Sequence, residues 1–147
     1  MDSRRAAPTL GIVASLAVVA VLTVPYFVID DGSAVASYYG SGALTPWAGG
    51  LMALVGVIVF AAGRENRTDP ETAAGAAVGL SVVVFLISVL WAVTVPADLV
   101  LQLTTDEPLF GPLTTATVIE SHRWVLALVA IVPAAAAGWY AKSLRLL

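Results

Sequence analysis

Four stretches of this chain are continuously apolar and carry no Asp, Glu, Lys, Arg or His: Leu10 to Ile29, Thr45 to Gly63, Ala73 to Val95 and Trp124 to Tyr140. Each approaches the roughly 20 residues that a helix rising 1.5 Å per residue needs to cross a hydrocarbon core of about 30 Å. With three connections they use nearly all of the 147 residues. Only 12% of the residues are charged and 59% are hydrophobic, against about 25% charged in soluble domains. The pattern predicts a single membrane domain over 1–147, all-α, with four transmembrane helices in one bundle. Spanning strands would alternate apolar and polar residues over about ten positions, and these runs do not.

Each helix start has a local cause. Thr45-Pro46-Trp47 reads as an N-cap followed by proline at the first helical position, and Gly63 as a C-terminal glycine before Arg64. Asp69-Pro70-Glu71 repeats the device, with the acid in the first turn where the helix dipole favours it. Thr117-Val118-Ile119-Glu120 has the spacing of a capping box. These signals predict helices over 10–29, 45–63, 70–95 and 118–141, outer connections 30–44 and 96–117, and an inner connection 64–69. The segment Gly32 to Leu44, rich in Ser and Gly around Tyr38-Tyr39, reads as a flexible loop against the headgroups. Pro96 to Ser121 alternates apolar patches with Asp98 and Asp106-Glu107, a pattern suited to a short interfacial helix or a cap over the helix ends.

Charge sorts by connection. Arg4, Arg5, Arg64, Arg67, Lys142 and Arg145 fall on one side of a four-span chain, and Arg123 alone of the seven basic residues falls on the other. Opposite them lie Asp30, Asp31, Asp98, Asp106, Glu107 and Glu120. The positive-inside rule then places both termini in the cytoplasm (N-in/C-in) and the chain, multi-pass, in the plasma membrane. Tyr26, Phe27, Trp47, Trp91 and Trp124 are expected at the outer interface, and Phe60, Trp139 and Tyr140 at the inner one. Ser3-Arg4-Arg5 before an apolar run resembles a twin-arginine signal, but the run exceeds the usual 7–15 residues and reads as a retained helix. The sequon Asn66-Arg67-Thr68 lies on the cytoplasmic side in this topology and is inert there.

Ionisable residues inside spans mark proton relays and ion paths, and none is present in these four. The polar atoms within them belong to Ser15, Thr23, Ser81, Ser88 and Thr94, hydroxyls that commonly bond back to their own helix. Small residues recur at four-residue spacing: Gly49, Ala53 and Gly56 (the last at three), Gly75 and Gly79, and Ala130, Ala134 and Gly138. Such faces let helices approach closely in lipid, here first of all within the chain and otherwise against a membrane-protein partner or a second copy. Pro133 should kink the fourth helix.

His122 is the single histidine. As a cofactor ligand it would need a second donor, with Met52 the one other candidate in a span. The simpler expectation is a solvent-facing side chain at the outer interface, with Glu120 and Arg123 paired beside it. No cysteine is present, and no Walker, HExxH, GxSxG or Rossmann pattern. No metal or cofactor is expected, nor nucleic acid; the expected partners are the bilayer and a membrane protein.

An acid excess of ten to seven, one lysine among the basic residues, and abundant Ala, Val and Thr give the chain a salt-adapted composition. In size and layout it resembles the small four-helix integral membrane proteins of the halophilic-archaeal type, a resemblance that implies the fold and no activity. The reading that follows is a non-enzymatic accessory or structural membrane subunit. The alternatives are a small oligomeric transporter or channel for a neutral solute and a haem-binding redox subunit using His122.

Overall fold

The computed structural model describes residues 2–105 and 107–147, and 79% of these are helical. Helix α1 (Ser3–Val28) starts well before the apolar run because Asp2 caps it, accepting the Arg4 N–H at 3.2 Å. Helix α3 (Pro46–Arg64) has proline in its first turn, as expected, but the Thr45 side chain makes no capping bond. Its far end is not closed by Gly63. Asn66 takes the left-handed conformation (φ 54°), with Asn66 N–H on Gly63 O (3.3 Å) and Arg67 N–H on Ala62 O (2.9 Å), a Schellman closure. Helix α4 (Pro70–Thr94) is capped by Asp69, whose carboxylate accepts from the Thr72 amide and hydroxyl, both at 2.9 Å. Those two bonds, the amide first, hold the Asp69 carboxyl below its ordinary range.

The fourth apolar stretch is two helices, α6 (Thr115–Val129) and α7 (Ile131–Ser143), meeting at Ala130. Proline lacks an N–H and crowds the carbonyl four residues back, so Pro133 interrupts the ladder there. The cap of α6 is Thr114, accepting the Thr117 N–H at 3.2 Å, not the box at Thr117 and Glu120. A second Schellman closure, with Arg145 at φ 62°, ends α7.

The 30–44 connection departs most from expectation. Asp31 accepts from the Ser33 hydroxyl (2.8 Å) and amide (2.9 Å), and a helix α2 (Gly32–Gly40) follows. Those bonds, the hydroxyl first, hold the Asp31 carboxyl below its ordinary range. Val35, Tyr38 and Tyr39 are spaced i, i+3, i+4 and all three are buried, so the segment is an amphipathic helix and not a flexible loop. The 96–117 connection forms a short helix α5 (Ala97–Leu103) that buries Val100. A two-residue-paired hairpin follows, β1 (Pro108–Phe110) with β2 (Leu113–Thr114), around Gly111 at φ 56°. Asp106 lies outside the described residues.

Helices α1, α3, α4 and the α6–α7 pair are long and apolar enough to cross a membrane. Helix α1 packs on α3 and on α6–α7, and α4 packs on the same two neighbours, so the four segments enclose two cores. One core lies toward α2 and gathers Val18, Leu22, Tyr38, Tyr39, Val84, Trp91, Ile119 and Leu126. The other, toward the ends carrying Arg4, Arg64 and Lys142, is built from Ala7, Phe60, Ala73, Ala74, Ala77, Ala137, Tyr140 and Ala141.

The small residues divide. Gly49, Ala53, Gly56 and Ala130 are buried, and a Cβ at Gly49 or Gly56 would meet Ile87 Cγ2 at 3.4 Å or Ser15 Oγ at 3.5 Å. Gly75 and Gly79 are exposed, and a Cβ at either would meet nothing within 4 Å. Ala134 and Gly138 are only half-buried, because the inward face of α7 carries Pro133, Ala136, Ala137, Tyr140 and Ala141 instead. The aromatic residues divide too. Tyr26, Phe27, Trp124 and Trp139 are exposed along the flanks, while Trp91, Phe60 and Tyr140 are core residues.

Candidate functional site

Pro25 lies inside α1, and the carbonyl it leaves without an intrahelical donor is that of Val21, four residues back. His122 fills the gap: its Nε2 stands 2.9 Å from Val21 O. A carbonyl only accepts, so Nε2 carries the hydrogen. Nδ1 is then the acceptor for the Tyr38 hydroxyl at 3.0 Å. The neighbouring Tyr39 hydroxyl donates to Leu22 O on the same turn of α1. Helix α2 thus places two adjacent tyrosines, one on the histidine and one on the opened helix.

His122 is 3% exposed, which overturns its reading as a solvent-facing residue. Rings close around it: Tyr38 meets Trp91 edge-on at a centroid distance of 5.1 Å, and Trp91 meets His122 edge-on at 6.0 Å. Tyr39 stacks obliquely on Tyr38 at 5.3 Å and meets Trp47 edge-on at 6.0 Å. Burial pushes both tyrosine hydroxyls well above the ordinary phenol range, opposed at Tyr38 by the Arg123 charge and reinforced at Tyr39 by Tyr38 and Tyr26.

Arg123 does not pair with Glu120. Its Nη1 donates to Val95 O at 3.2 Å, serving a carbonyl at the C-terminal end of α4, and its guanidinium lies 5.4 Å from the Trp124 ring centre. Among the described residues the one ion pair joins Arg64 and Glu65. Three buried donors in the described residues have no partner, Trp47 Nε1, Trp91 Nε1 and Arg123 Nε. The span hydroxyls behave as anticipated at three positions: Thr23 donates to Ala20 O, Ser88 to Val84 O and Thr94 to Leu90 O, at 2.7–2.8 Å.

The arrangement is a lock. Both ring nitrogens of His122 are committed to α1 and α2, which leaves no lone pair for iron, and no group of three His, Asp or Glu side chains that could hold a metal occurs among the described residues. Beside the lock, a groove of about 270 Å³ opens outward, lined by Val21, Val24, Leu113, Val118, Val125 and the edge of His122. A second cleft, about 360 Å³, lies between Ile29, Asp30, Asp31, Gln102 and Glu107, so the acidic connections meet in space. At the opposite end a cavity of about 210 Å³ is bounded by Arg4, Arg5, Arg64 and Tyr140.

The sequence missed the Tyr38–His122 contact because the two residues are far apart in the chain. The available signal was Pro25: a proline within a span leaves a carbonyl for which some other donor must be found. No curated protein and no solved structure matches the chain. The residues that do find a counterpart are 1–145, nearly the full length from the Asp2 cap to the second Schellman closure, and by that match the chain belongs to a family of unknown function, DUF7548.

Proposed function

We propose that this chain is a four-span membrane bundle with both termini in the cytoplasm. In this reading it sits in the plasma membrane and works without catalysis, as an accessory subunit that packs against a second membrane-spanning chain or another copy of itself. The observation that carries the reading is the unused small-residue face of α4. Gly75, Ala76 and Gly79 are exposed and continue into Val82, Val83, Leu86, Leu90 and Val93. A face of this kind contributes nothing to packing inside the chain, yet it permits the close backbone approach that joins helices in lipid. The polar groups buried nearest the other end, His122, Tyr38 and Tyr39, are occupied in holding helices together, which suits a scaffold better than a substrate path. The basic residues grouped at the Arg4, Arg64 and Lys142 end support the orientation. The acid excess and single lysine support a salt-adapted host.

The native chain has no cysteine, so single cysteines report cleanly. Gly79→Cys is expected to form disulfide-linked pairs, or adducts with one co-purifying chain, in membranes treated with a mild oxidant. Gently solubilised material should weigh more than one 15.1 kDa chain. A strictly monomeric particle with no partner and no cross-link at Gly79 overturns the proposal.

A further inference from the structure

We infer that the cavity between Arg4, Arg5, Arg64 and Tyr140 is a binding site for a phosphate group. Its walls come from four helices: the first turn of α1 supplies Arg4 and Arg5, the last turn of α3 supplies Gly63 and Arg64, the start of α4 supplies Pro70, and α7 supplies Tyr140. At about 210 Å³ it accommodates a tetrahedral anion with its water. Arginines present planar forks of donors that match phosphate oxygens.

Of the three arginines, only Arg64 has a side-chain partner among the described residues. Its Nη1 meets Glu65 and its Nε donates to Thr9 Oγ1 at 2.9 Å. Arg4 and Arg5 have no acidic partner among the described residues. Asp2, the one acid in the wall, is committed as the α1 cap.

The second observation is Tyr140. The residue is 1% exposed and lines the cavity, and its hydroxyl has no hydrogen-bond partner among the described residues. The hydroxyl lies against Gly63, where a Cβ would stand 2.7 Å from it and 2.8 Å from Ala73 Cβ. Gly63 therefore keeps open the room in which the phenol reaches the cavity. A hydroxyl that makes no hydrogen bond among the described residues and meets the cavity at its wall, beside two arginines with no acidic partner there, is complementary to an anion that accepts several hydrogen bonds. Phosphate suits it, as the free ion or as the headgroup of an anionic phospholipid in the adjoining leaflet.

The test uses the full chain in an uncharged maltoside detergent at constant ionic strength. Its thermal midpoint is followed while inorganic phosphate, dihexanoyl-phosphatidylglycerol or dihexanoyl-phosphatidylcholine is added. Stabilisation by phosphate equal to that by phosphatidylglycerol assigns the site to the free ion, and stabilisation by phosphatidylglycerol alone assigns it to the lipid headgroup. In either case the half-saturating concentration should rise about tenfold or more in Tyr140→Phe, and further in Arg4→Gln/Arg5→Gln, while Arg67→Gln, outside the cavity, leaves it unchanged. The double variant alters exposed side chains in a first helical turn and so keeps the test valid if Tyr140→Phe unfolds. No stabilisation by either phosphate compound, an equal effect of phosphatidylcholine, or an equal response in all variants overturns the site.

Discussion

The two ends of the molecule hold the same four helices together by opposite means. Toward the basic end, alanines and glycines bring backbones close: Ala7, Ala73, Ala74, Ala77, Ala137 and Ala141 are buried, and Gly11 faces the Phe60 ring so closely that a Cβ would stand 2.5 Å from it. Toward the other end the helices are joined by large rings and directed hydrogen bonds, with α2 carrying Tyr38 and Tyr39 in among them. Close packing of small residues depends on volume alone, so it tolerates no added atom. A polar lock tolerates changes of shape but not the loss of a donor. In lipid, where apolar contact between helices has little solvent drive, both devices are needed wherever helices must stay in register.

The largest effect expected at the ring-filled end is Trp91→Ala, which empties a fully buried indole that touches Tyr38, Tyr39 and His122. It should cost about 3–5 kcal/mol in reversible unfolding from micelles, the range for large aromatic truncations. A loss below about 1 kcal/mol would mean that the rings fill space without supporting the fold. Next comes His122→Leu, which keeps volume but strands Val21 O and leaves the Tyr38 hydroxyl only the long bond to Ile119 O at 3.5 Å. About 2–4 kcal/mol is expected, and less in His122→Gln, which retains a donor and an acceptor. The same replacement in a Pro25→Ala background should cost measurably less, since an alanine in place of the proline returns an N–H to Val21 O. Equal costs in the two backgrounds would break the link between proline and histidine.

At the alanine-rich end, Gly11→Ala forces a Cβ onto Phe60 and should cost about 1–3 kcal/mol, relieved in part by Phe60→Leu. If Gly11→Ala is neutral, the helices there are not at contact distance. The smallest effect concerns pH. Tyr38 and Tyr39 have hydroxyls raised by burial above the ordinary phenol value of about 10. A group with a raised folded value contributes stability below its unfolded pKa and loses it as pH climbs above that point. Unfolding should therefore become easier above about pH 10, and less steeply in Tyr38→Phe/Tyr39→Phe. Ultraviolet titration of that double variant against the parent should show that these two phenols ionise only after the fold is lost.

Long-range contacts decided what the residue order left open. The four apolar runs, the caps at Asp69 and Pro70 and the interruption at Pro133 are local matters, each dictated by hydropathy or by a proline's missing N–H, and they were legible residue by residue. The 96–117 pattern left a short helix and a cap over the helix ends equally open, and the chain forms the helix α5 there. Helix α2 was partly legible in the spacing of Val35, Tyr38 and Tyr39, but its Ser and Gly content masked that face until the tyrosines had somewhere to go. Which small residues face inward was not legible: Gly75 and Gly79 have the same spacing as an interface and lie outside, while Ala73, Ala74 and Ala77 lie inside. The rotation of a helix about its axis is set by all its neighbours at once. So is the meeting of His122, Tyr38 and the Val21 carbonyl, three groups on separate helices that no spacing rule connects. The amino-acid order by itself determined how many segments are long and apolar enough to cross a membrane and where α3 and α4 begin. Only the tertiary structure decided which faces meet, because that depends on the simultaneous fit of volume and hydrogen bonds across segments distant in the chain.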